Sequence, residues 1–322
     1  MRALTALFFG MISLLAAEPA TAQAWPTRPI KIVVPFPAGG GNDLLARLFG
    51  DRLSVALGQP VIVENKGGAS GGLGTEMVAN APGDGYTLLV SSSTALTINP
   101  AIQNNLPYDP IRDFAPVYQI AGGVVVMLVP GTSPVRSVAD LVAASKSRPG
   151  TMSYGSWGVG SSAHFAMEVT KLTTGADIVH APYKGVSPVV QDLVGGHIPA
   201  GFSDMGTALP HVKAGTIRAI AQFGEKRAPS LPDVPTLVES GVPFDVIAWI
   251  GMLAPASTPK PIVERLNAEM RRIAAEPDVV ERLRSISMVA TDNETPEKFR
   301  AAIAKEIAMF RDIATKAGIK AE

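Results

Sequence analysis

Short apolar runs alternate with amphipathic helical patterns along most of the chain. In the first third, Ile30 to Pro35, Val61 to Val63 and Tyr86 to Ser91 are apolar or β-branched runs, which predict strands. Between them, Asp43 to Leu57 and Leu73 to Ala81 carry apolar residues at helical spacing. Near-continuous apolar strands joined by helices are typical of a mostly parallel sheet covered on both faces. The pattern therefore predicts an α/β fold.

The same alternation resumes later in the chain. The predicted strands there are Val124 to Val129, Thr151 to Gly155, Ile178 to Ala181, Ala200 to Ser203 and Ile217 to Phe223. The predicted helices between them are Val138 to Ser147, Ala163 to Thr173, Val189 to Gly195 and Thr207 to Ala214. We therefore expect a second sheet of the same kind as the first.

Two long apolar segments, Ala121 to Pro134 and Phe244 to Pro261, are predicted to cross from one sheet to the other. After the second segment only helical patterns and one short strand remain, so this tail should return to pack on the first lobe. A chain that crosses twice forms two lobes with a hinge and a cleft between them. The predicted bounds are residues 25–124 plus 250–322 for lobe 1 and residues 125–249 for lobe 2.

The first 24 residues are predicted to be a signal peptide. Arg2 precedes the apolar run Ala3 to Ala17, which is too short to span a bilayer and is followed by small residues at Ala20 to Ala24. Cleavage is expected before Gln23 or Trp25. The alternatives are an uncleaved anchor or a buried helix. We expect an exported protein, soluble once it is processed.

Charge and composition narrow the range of functions. The chain has 28 basic and 28 acidic residues, and this balance argues against a nucleic-acid partner, which would require a basic face. It contains no cysteine, so disulfides, a thiolate nucleophile and a cysteine-ligated metal are excluded.

Three consecutive glycines, Gly39 to Gly41, lie between the first predicted strand and the first predicted helix. Asn42 or Asp43 is the expected N-cap of that helix. Free amide groups at a helix N-terminus, with no side chain in front of them, form an anion site. The alternative is a tight turn without a ligand. The spacing matches neither a dinucleotide-binding motif nor a P-loop.

Two further motifs suggest chemistry that their context does not support. Gly68 to Gly72 matches the G-x-S-x-G pattern around a nucleophilic Ser70, but four residues separate the serine from the preceding strand. Gly158 to Ala163 matches G-x-G-x-x-A, but Asp177 begins the next strand instead of ending it. This second motif still predicts a helix that starts near Ser161 and Ser162, and such a start is a second place suited to an anion.

The histidines and one tryptophan are less informative. His164, His180, His197 and His211 do not stand at metal-ligand spacing, so no metal site is expected. Trp157 lies inside a glycine-rich loop, either as a wall of the cleft or as a plug in the core. As a wall, it would favour a flat or aromatic carboxylate or would cap a short acid.

Together these motifs resemble the tripartite tricarboxylate transporter substrate-binding proteins, also called Bug receptors. The resemblance covers the whole mature chain in order. The segments that carry it are WPTRPIKIVVPFPAGGGNDLLAR, VIVENKGGASGGLGTEMVANAPGDGYTLLV, YDPIRDFAPV, YGSWGVGSSAHF, APYKGVSPVVQDLVGGHI and LPDVPTLVESG. Asn42 and Trp157 depart from the residues usual in that family, so the shape of the pocket cannot be copied from relatives.

The resemblance implies a periplasmic receptor with a two-lobed, type II-like Venus-flytrap fold. It would bind a small organic acid (a di- or tricarboxylate, an aromatic carboxylate or an amino acid) and deliver it to the membrane subunits of a tripartite transporter. We expect a monomer without cofactor, metal or catalytic residues. The expected ligand-binding residues are Phe36, Ala38, Gly39, Gly40, Gly41, Asn42, Asp43, Ser92, Thr94, Trp157, Gly158, Ser161, Ser162, His164, Tyr183, Lys184, Gly185 and Asp204. Two alternatives are a secreted hydrolase built around Ser70 and a sensor module of the same fold.

Overall fold

The computed structural model describes residues 25–183, 185–286, 288–289 and 295–320. The predicted signal peptide and Lys184 lie outside this range. The strands are β1 (Ile30–Val34), β2 (Val61–Asn65), β3 (Thr87–Ser92), β4 (Phe114–Gly123), β5 (Val125–Pro130), β6 (Ser153–Ser156), β7 (Val179–Pro182), β8 (Ala200–Asp204), β9 (Ile217–Gln222), β10 (Ala248–Pro255) and β11 (Met288–Val289). The helices are α1 (Gly41–Leu57), α2 (Gly72–Ala79), α3 (Asn99–Ile102), α4 (Val138–Ser147), α5 (Ser162–Thr174), α6 (Val186–Val194), α7 (Met205–Lys213), α8 (Lys260–Ala274), α9 (Pro277–Ser285) and α10 (Pro296–Ala317).

The strands form two mixed sheets. The first has six strands in the order β11-β4-β10-β3-β1-β2, and the second has five in the order β7-β6-β8-β5-β9. In the first sheet β1 pairs in parallel with β2 and β3, while β10 runs antiparallel to β3 and β4. In the second sheet β6 pairs in parallel with β7 and β8, while β5 runs antiparallel to β8 and β9. The predicted two-lobed α/β fold is confirmed.

Each sheet is buried on both faces, which explains why its strands read as continuous apolar runs. Along β1, Ile32 and Val34 belong to one core cluster, whereas Val33 between them belongs to another. Along β5, Met127 and Val126 divide in the same way between two clusters. Alternate residues of a strand point to opposite faces, so a sheet with helices on both sides requires apolar residues at every position.

The first crossing between the sheets is shorter than the sequence predicted. The segment Ala121 to Pro134, predicted as one long strand, contains the end of β4 and all of β5, with Val124 alone between them. One strand cannot keep its backbone hydrogen bonds in two separate sheets, so the ladder breaks where the chain passes between lobes. Residues 223–247 make the return from β9 to β10. The bounds of the lobes stay a prediction.

The C-terminal helix α10 packs on both lobes. Phe299 and Ile303 in its first half join the core cluster that contains Val33 of β1. Phe310 in its second half joins the core of the second sheet and lies edge-on to Phe165 of α5, with ring centroids 4.8 Å apart. The C-terminal helix therefore reaches the cores of both sheets, because 22 helical residues extend about 33 Å. Within the described residues, no helix is both long and apolar enough to cross a membrane.

A buried carboxylate joins this helix to the second crossing. The indole Nε1 of Trp249, in β10, donates hydrogen bonds to both carboxylate oxygens of Glu306 in α10, at 2.9 and 2.8 Å. Glu306 is partly exposed as a residue, but its carboxylate meets an indole that is almost fully enclosed. Burial raises the pKa of Glu306 to about 7, although hydrogen bonds from Trp249 and Thr97 oppose the change.

We predict that Glu306→Gln makes the free energy of unfolding less dependent on pH. The folded-state pKa of about 7 lies above the ordinary value of 4.5, so the folded protein holds this proton more tightly. The wild type should therefore lose stability as the pH rises from 5 to 8, and the variant should lose less. Urea unfolding at both pH values measures the difference, with Glu297→Gln on the exposed face of α10 as the matched control. Identical pH dependence in all three proteins would contradict the prediction.

Candidate ligand-binding site

The topology brings the carboxyl ends of two sets of parallel strands to one place. Because β10 runs antiparallel to both β3 and β4, the end of β4 lies at the same edge as the ends of β1, β2 and β3. Because β5 runs antiparallel to β8, the start of β5 lies beside the ends of β6, β7 and β8. Val124 joins these two edges directly. Ligands of open α/β sheets bind outside the carboxyl ends of the strands, so this is the candidate site.

The first-lobe part of the site is the glycine loop. Residues 38–40 are exposed, Gly39 has a positive φ of 83°, and Gly40 is the N-cap of α1. No side chain caps this helix, so the first amides of its 17 residues are open to a ligand. A Cβ added at Gly40 would approach nothing closer than Pro37 O at 3.6 Å, so the fold itself does not require glycine there.

The expected N-cap was wrong: helix α1 begins two residues earlier than Asp43. Asp43 is only 3% exposed, and its Oδ2 accepts hydrogen bonds from Gly39 N at 2.8 Å and Arg47 Nε at 3.1 Å. The bond to Arg47, aided by that to Gly39, holds the pKa of Asp43 below its usual range. The Asp43 carboxylate therefore lies in the first turn of α1, where its hydrogen bond to Gly39 N holds the glycine loop in place.

Neighbouring groups complete this support. Arg47 also donates to Asn65 Oδ1 at 3.3 Å, and Asn65 Nδ2 donates to the carbonyl of Phe36 at 3.1 Å. The Phe36 ring lies so close to Gly71 that a Cβ there would be only 2.8 Å away. Asn42 keeps an enclosed Oδ1 without a hydrogen-bond partner among the described residues. The contacts that hold the loop thus come from residues of the first lobe. Asn42 Oδ1 accepts no hydrogen bond from the described residues.

Ser92 and Thr94 lie at the same edge of the first sheet. Ser92 is the last residue of β3, and Thr94 begins the π-helical turn Thr94–Ile98. Both are partly exposed, whereas Ser93 between them is buried. π-Helical turns are frequent at functional sites, and this one follows directly after the end of β3, at the same sheet edge as the glycine loop.

In the second lobe, Trp157 and Gly158 lie in the loop between β6 and α5. Both are partly exposed, and the indole packs against the core of the second sheet. Trp157 is therefore neither a free wall nor a fully buried plug. A Cβ at Gly158 would lie 3.8 Å from the carbonyl oxygen of Tyr183, so this loop adjoins the one after β7.

Ser161, Ser162 and His164 are placed at the start of α5 and are nearly buried. Ser161 Oγ caps the helix by accepting from His164 N at 3.2 Å. His164 Nδ1 accepts from Gly160 N at 3.2 Å. These polar groups are satisfied within the protein and shape the loop in front of them.

The described residues of the loop after β7 are Tyr183 and Gly185. The Tyr183 hydroxyl donates to Asp192 Oδ2 at 2.6 Å, a bond on its own lobe. Gly185 is the N-cap of α6, has no side-chain cap, and has no atom within 4 Å of an added Cβ. A second uncapped helix N-terminus therefore opens into free space from lobe 2.

Asp204 has a structural partner. It is the N-cap of α7, and its two oxygens accept from Thr207 N at 2.8 Å and Thr207 Oγ1 at 2.9 Å. A carboxylate has about four acceptor positions, so the two capping bonds leave about two for donors from a ligand or water.

Three glycines mark contacts with side chains or backbone from elsewhere in the site. A Cβ at Gly160 would lie 2.6 Å from Ile102 Cδ1 of α3, so the Trp157 loop touches the first lobe. A Cβ at Gly206 would lie 3.5 Å from Ile286 O, and one at Gly41 would lie 3.1 Å from Met288 Cε. The segment that leads into β11 therefore reaches both the start of α1 and the start of α7.

Sequence reasoning missed two residues behind the Trp157 loop. His180 Nε2 lies 2.6 Å from Ser156 Oγ, and the His180 ring stacks on the His164 ring at 4.1 Å between centroids. Sixteen residues separate the two histidines in sequence. No local motif connects Ser156 with His180; the pairing of β6 with β7 brings these two residues together, and the His164 ring reaches His180 from α5.

The rival site at Ser70 lacks a base. Ser70 sits in the short turn Ala69–Gly71 with φ 51°, and it lines a groove of about 1070 Å³ between residues 100–105 and the end of α10. The described residues that line this groove include no histidine and no acid. A search of the described residues finds no group of three or more histidine or acidic side chains placed to hold a metal ion.

Comparison with known proteins gives one consistent result. A family model for the tripartite tricarboxylate transporter family receptor matches residues 45–318. Protein BugT of Bordetella pertussis is 36% identical over 306 residues, 94% of each chain. The solved structure of Rpa4515 from R. palustris with adipate is 35% identical with a TM-score of 0.81, covering 92% of this chain and 99% of that one. MatC from Rhodopseudomonas palustris, with bound malate, is 31% identical with a TM-score of 0.76, covering 90% and 99%.

The support of the glycine loop can be tested without a ligand. Asp43→Ala removes the acceptor for Gly39 N and the carboxylate that pairs with Arg47. We expect the free energy of unfolding to fall by about 1.5–3 kcal/mol, the scale of a hydrogen bond to a charged group. Asp51→Ala, an exposed position on the same helix, should change it by less than about 0.5 kcal/mol. Equal denaturation midpoints for the two variants would show that Asp43 does not hold the loop.

Proposed function

This chain belongs to the tripartite tricarboxylate transporter receptor family, and we propose that its ligand is a small dicarboxylate that it delivers to the membrane subunits of such a transporter. The observation that carries the proposal is the uncapped, glycine-lined N-terminus of α1 at the carboxyl end of β1. Backbone amides there offer hydrogen bonds and a partial positive charge to a carboxylate.

A second uncapped N-terminus supports a ligand with two acidic groups. Helix α6 begins at Gly185 in the other lobe without a side-chain cap. Near the first site, the charge of Arg47 is matched by Asp43, so it adds no net charge for an anion. Two relatives whose solved structures contain dicarboxylates, adipate and malate, agree with this ligand class.

The other readings have weaker support. A hydrolase at Ser70 would need a base that the described lining of its groove does not provide. The relatives are solute-binding receptors, which argues against an enzyme. A sensor module would share the ligand and the fold, and it would be recognised by binding that leaves uptake unchanged. We propose that the protein serves transport and acts as a monomer. We also propose that the lobes meet between residues 124 and 125 and between residues 249 and 250.

We predict that a dicarboxylate raises the melting temperature of the mature protein and that Gly40→Val abolishes the effect. A ligand at about 100 times its Kd stabilises a protein by about 2.7 kcal/mol. The test panel is malate, succinate, adipate, citrate, aspartate, benzoate and nicotinate. Valine at Gly40 fits the extended backbone (φ −80°, ψ 170°) but covers the amides of α1.

Gly72→Ala is the matched control, because Gly72 is a helical glycine of the same lobe where an added Cβ meets only Ala69 at 3.5 Å. It should keep the ligand response. If only benzoate and nicotinate raise the melting temperature, the ligand is an aromatic acid stacked on Trp157 and not a dicarboxylate. If Gly40→Val responds to the ligand as the wild type does, the glycine loop is a tight turn that does not bind the ligand.

We also propose that the protein is exported to the periplasm with removal of residues 1–22 or 1–24. The positive, apolar and small-residue regions of the N-terminus support this processing. Mass spectrometry of the protein released from the periplasm should show Gln23 or Trp25 as its first residue. Exported protein that retains Met1 would contradict it.

A further inference from the structure

The Trp157 loop is held by side chains that lie behind it and outside the ligand cleft. Gly158 and Gly160 adopt positive φ values of 133° and 71°, so the loop follows a path that few sequences would hold unaided. Ser156 Oγ bonds both ends of Gly158, with its N–H at 3.1 Å and its carbonyl at 3.0 Å. His164 Nδ1 accepts the N–H of Gly160 at 3.2 Å.

These bonds bear on the protonation of two histidines. The Ser156 hydroxyl lies 3.0 Å from the Gly158 carbonyl and 2.6 Å from His180 Nε2, and where its one proton goes to the carbonyl, the oxygen accepts from His180. His164 Nδ1 accepts a backbone N–H, so it must lack a proton. A proton added at that nitrogen would face the N–H of Gly160 and break the bond.

The surroundings disfavour a charge on either ring. The two imidazoles stack at 4.1 Å, and Tyr154 stacks on His180 at 4.9 Å. The charged groups that face them are Glu168, whose Oε1 lies 4.0 Å from His164 Nε2, and Lys171, which pairs with Glu168 at 2.8 Å. Burial lowers the pKa of each histidine to about 4, and the Lys171 charge acts in the same direction on both. The His164 ring also lowers the pKa of His180, whereas the Glu168 carboxylate opposes that change.

We propose that His164 and His180 are positioning residues, whose stacked rings hold Trp157 to Gly160 in the geometry that binds ligand as long as His164 Nδ1 is unprotonated. The ligand-binding part of this statement rests on the proposed function. The two histidines act through the loop, and neither ring needs to contact the ligand.

The test compares two substitutions of similar size at one position. His164→Asn keeps a side-chain oxygen where Nδ1 accepts from Gly160, whereas His164→Leu removes the acceptor. With the panel acid that stabilises the wild type most, calorimetry at pH 7.5 should show binding weakened about tenfold or more in His164→Leu, the scale of one lost hydrogen bond. His164→Asn should recover most of that loss, and His211→Leu should bind as the wild type does. Equal affinity in the Leu and Asn variants would overturn the proposal.

A pH profile separates positioning from simple packing. The ratio of the wild-type Kd to the Kd of His164→Asn cancels the titration of the acid itself. The ratio should be constant from pH 8 to 6 and rise about twofold by pH 4, where half of the wild-type molecules carry the extra proton. Circular dichroism checks that both proteins stay folded. A flat ratio would overturn the proposal even if His164→Leu does not fold.

A third measurement needs no ligand, so it distinguishes failure of this proposal from failure of the proposed function. Fluorescence of Trp157, taken as the difference between each protein and its Trp157→Phe version, should change between pH 6 and 4 in the wild type and stay constant in His164→Asn. If no acid of the panel binds, this readout still decides whether the histidines hold the loop. Identical profiles in both proteins would overturn it.

Discussion

Parallel strands deliver every loop that follows them to the same edge of a sheet, and the function of this protein depends on that constraint. A single residue, Val124, joins the edge of one sheet to the edge of the other. Six loops, after β1, β2, β3, β6, β7 and β8, are thereby gathered around one gap. A different crossing would leave the same loops on opposite sides of the molecule.

Around that gap, the described side chains include two matched ion pairs. Asp43 and Arg47 satisfy each other, as do Glu168 and Lys171, so neither pair brings net charge to the site. Open helix N-termini remain, and their partial charges cost no side-chain entropy to position. The fold tolerates a Cβ at Gly40. If the amides of α1 bind the ligand as proposed, a side chain there would stand between those amides and the ligand.

Sequence patterns predicted the fold well, because strands buried on both faces must be apolar throughout and helices must carry a stripe. They placed the N-cap of α1 wrongly because Asp43 has two competing partners, Gly39 and Arg47, and the second is a helical turn away. They predicted a ligand site from the glycines in its loops, and that assignment stays a prediction. They could not identify His180 as part of it, since its role depends on the pairing of β6 with β7 and on one hydrogen bond to Ser156.

The Trp157 loop and the loop before α6 differ in how they are packed, and the C-terminal helix contributes to that difference. α10 packs through Phe299 on the first lobe and through Phe310 on Phe165 of α5, and Gly160 at the head of α5 rests on Ile102. The Trp157 loop is therefore tied to both lobes by packed side chains, and close-packed interiors resist small displacements. The start of α6 at Gly185 has open space around it instead. These two loops of the second sheet thus differ in their surroundings, since the Trp157 loop is packed against both lobes and the backbone at Gly185 faces open space.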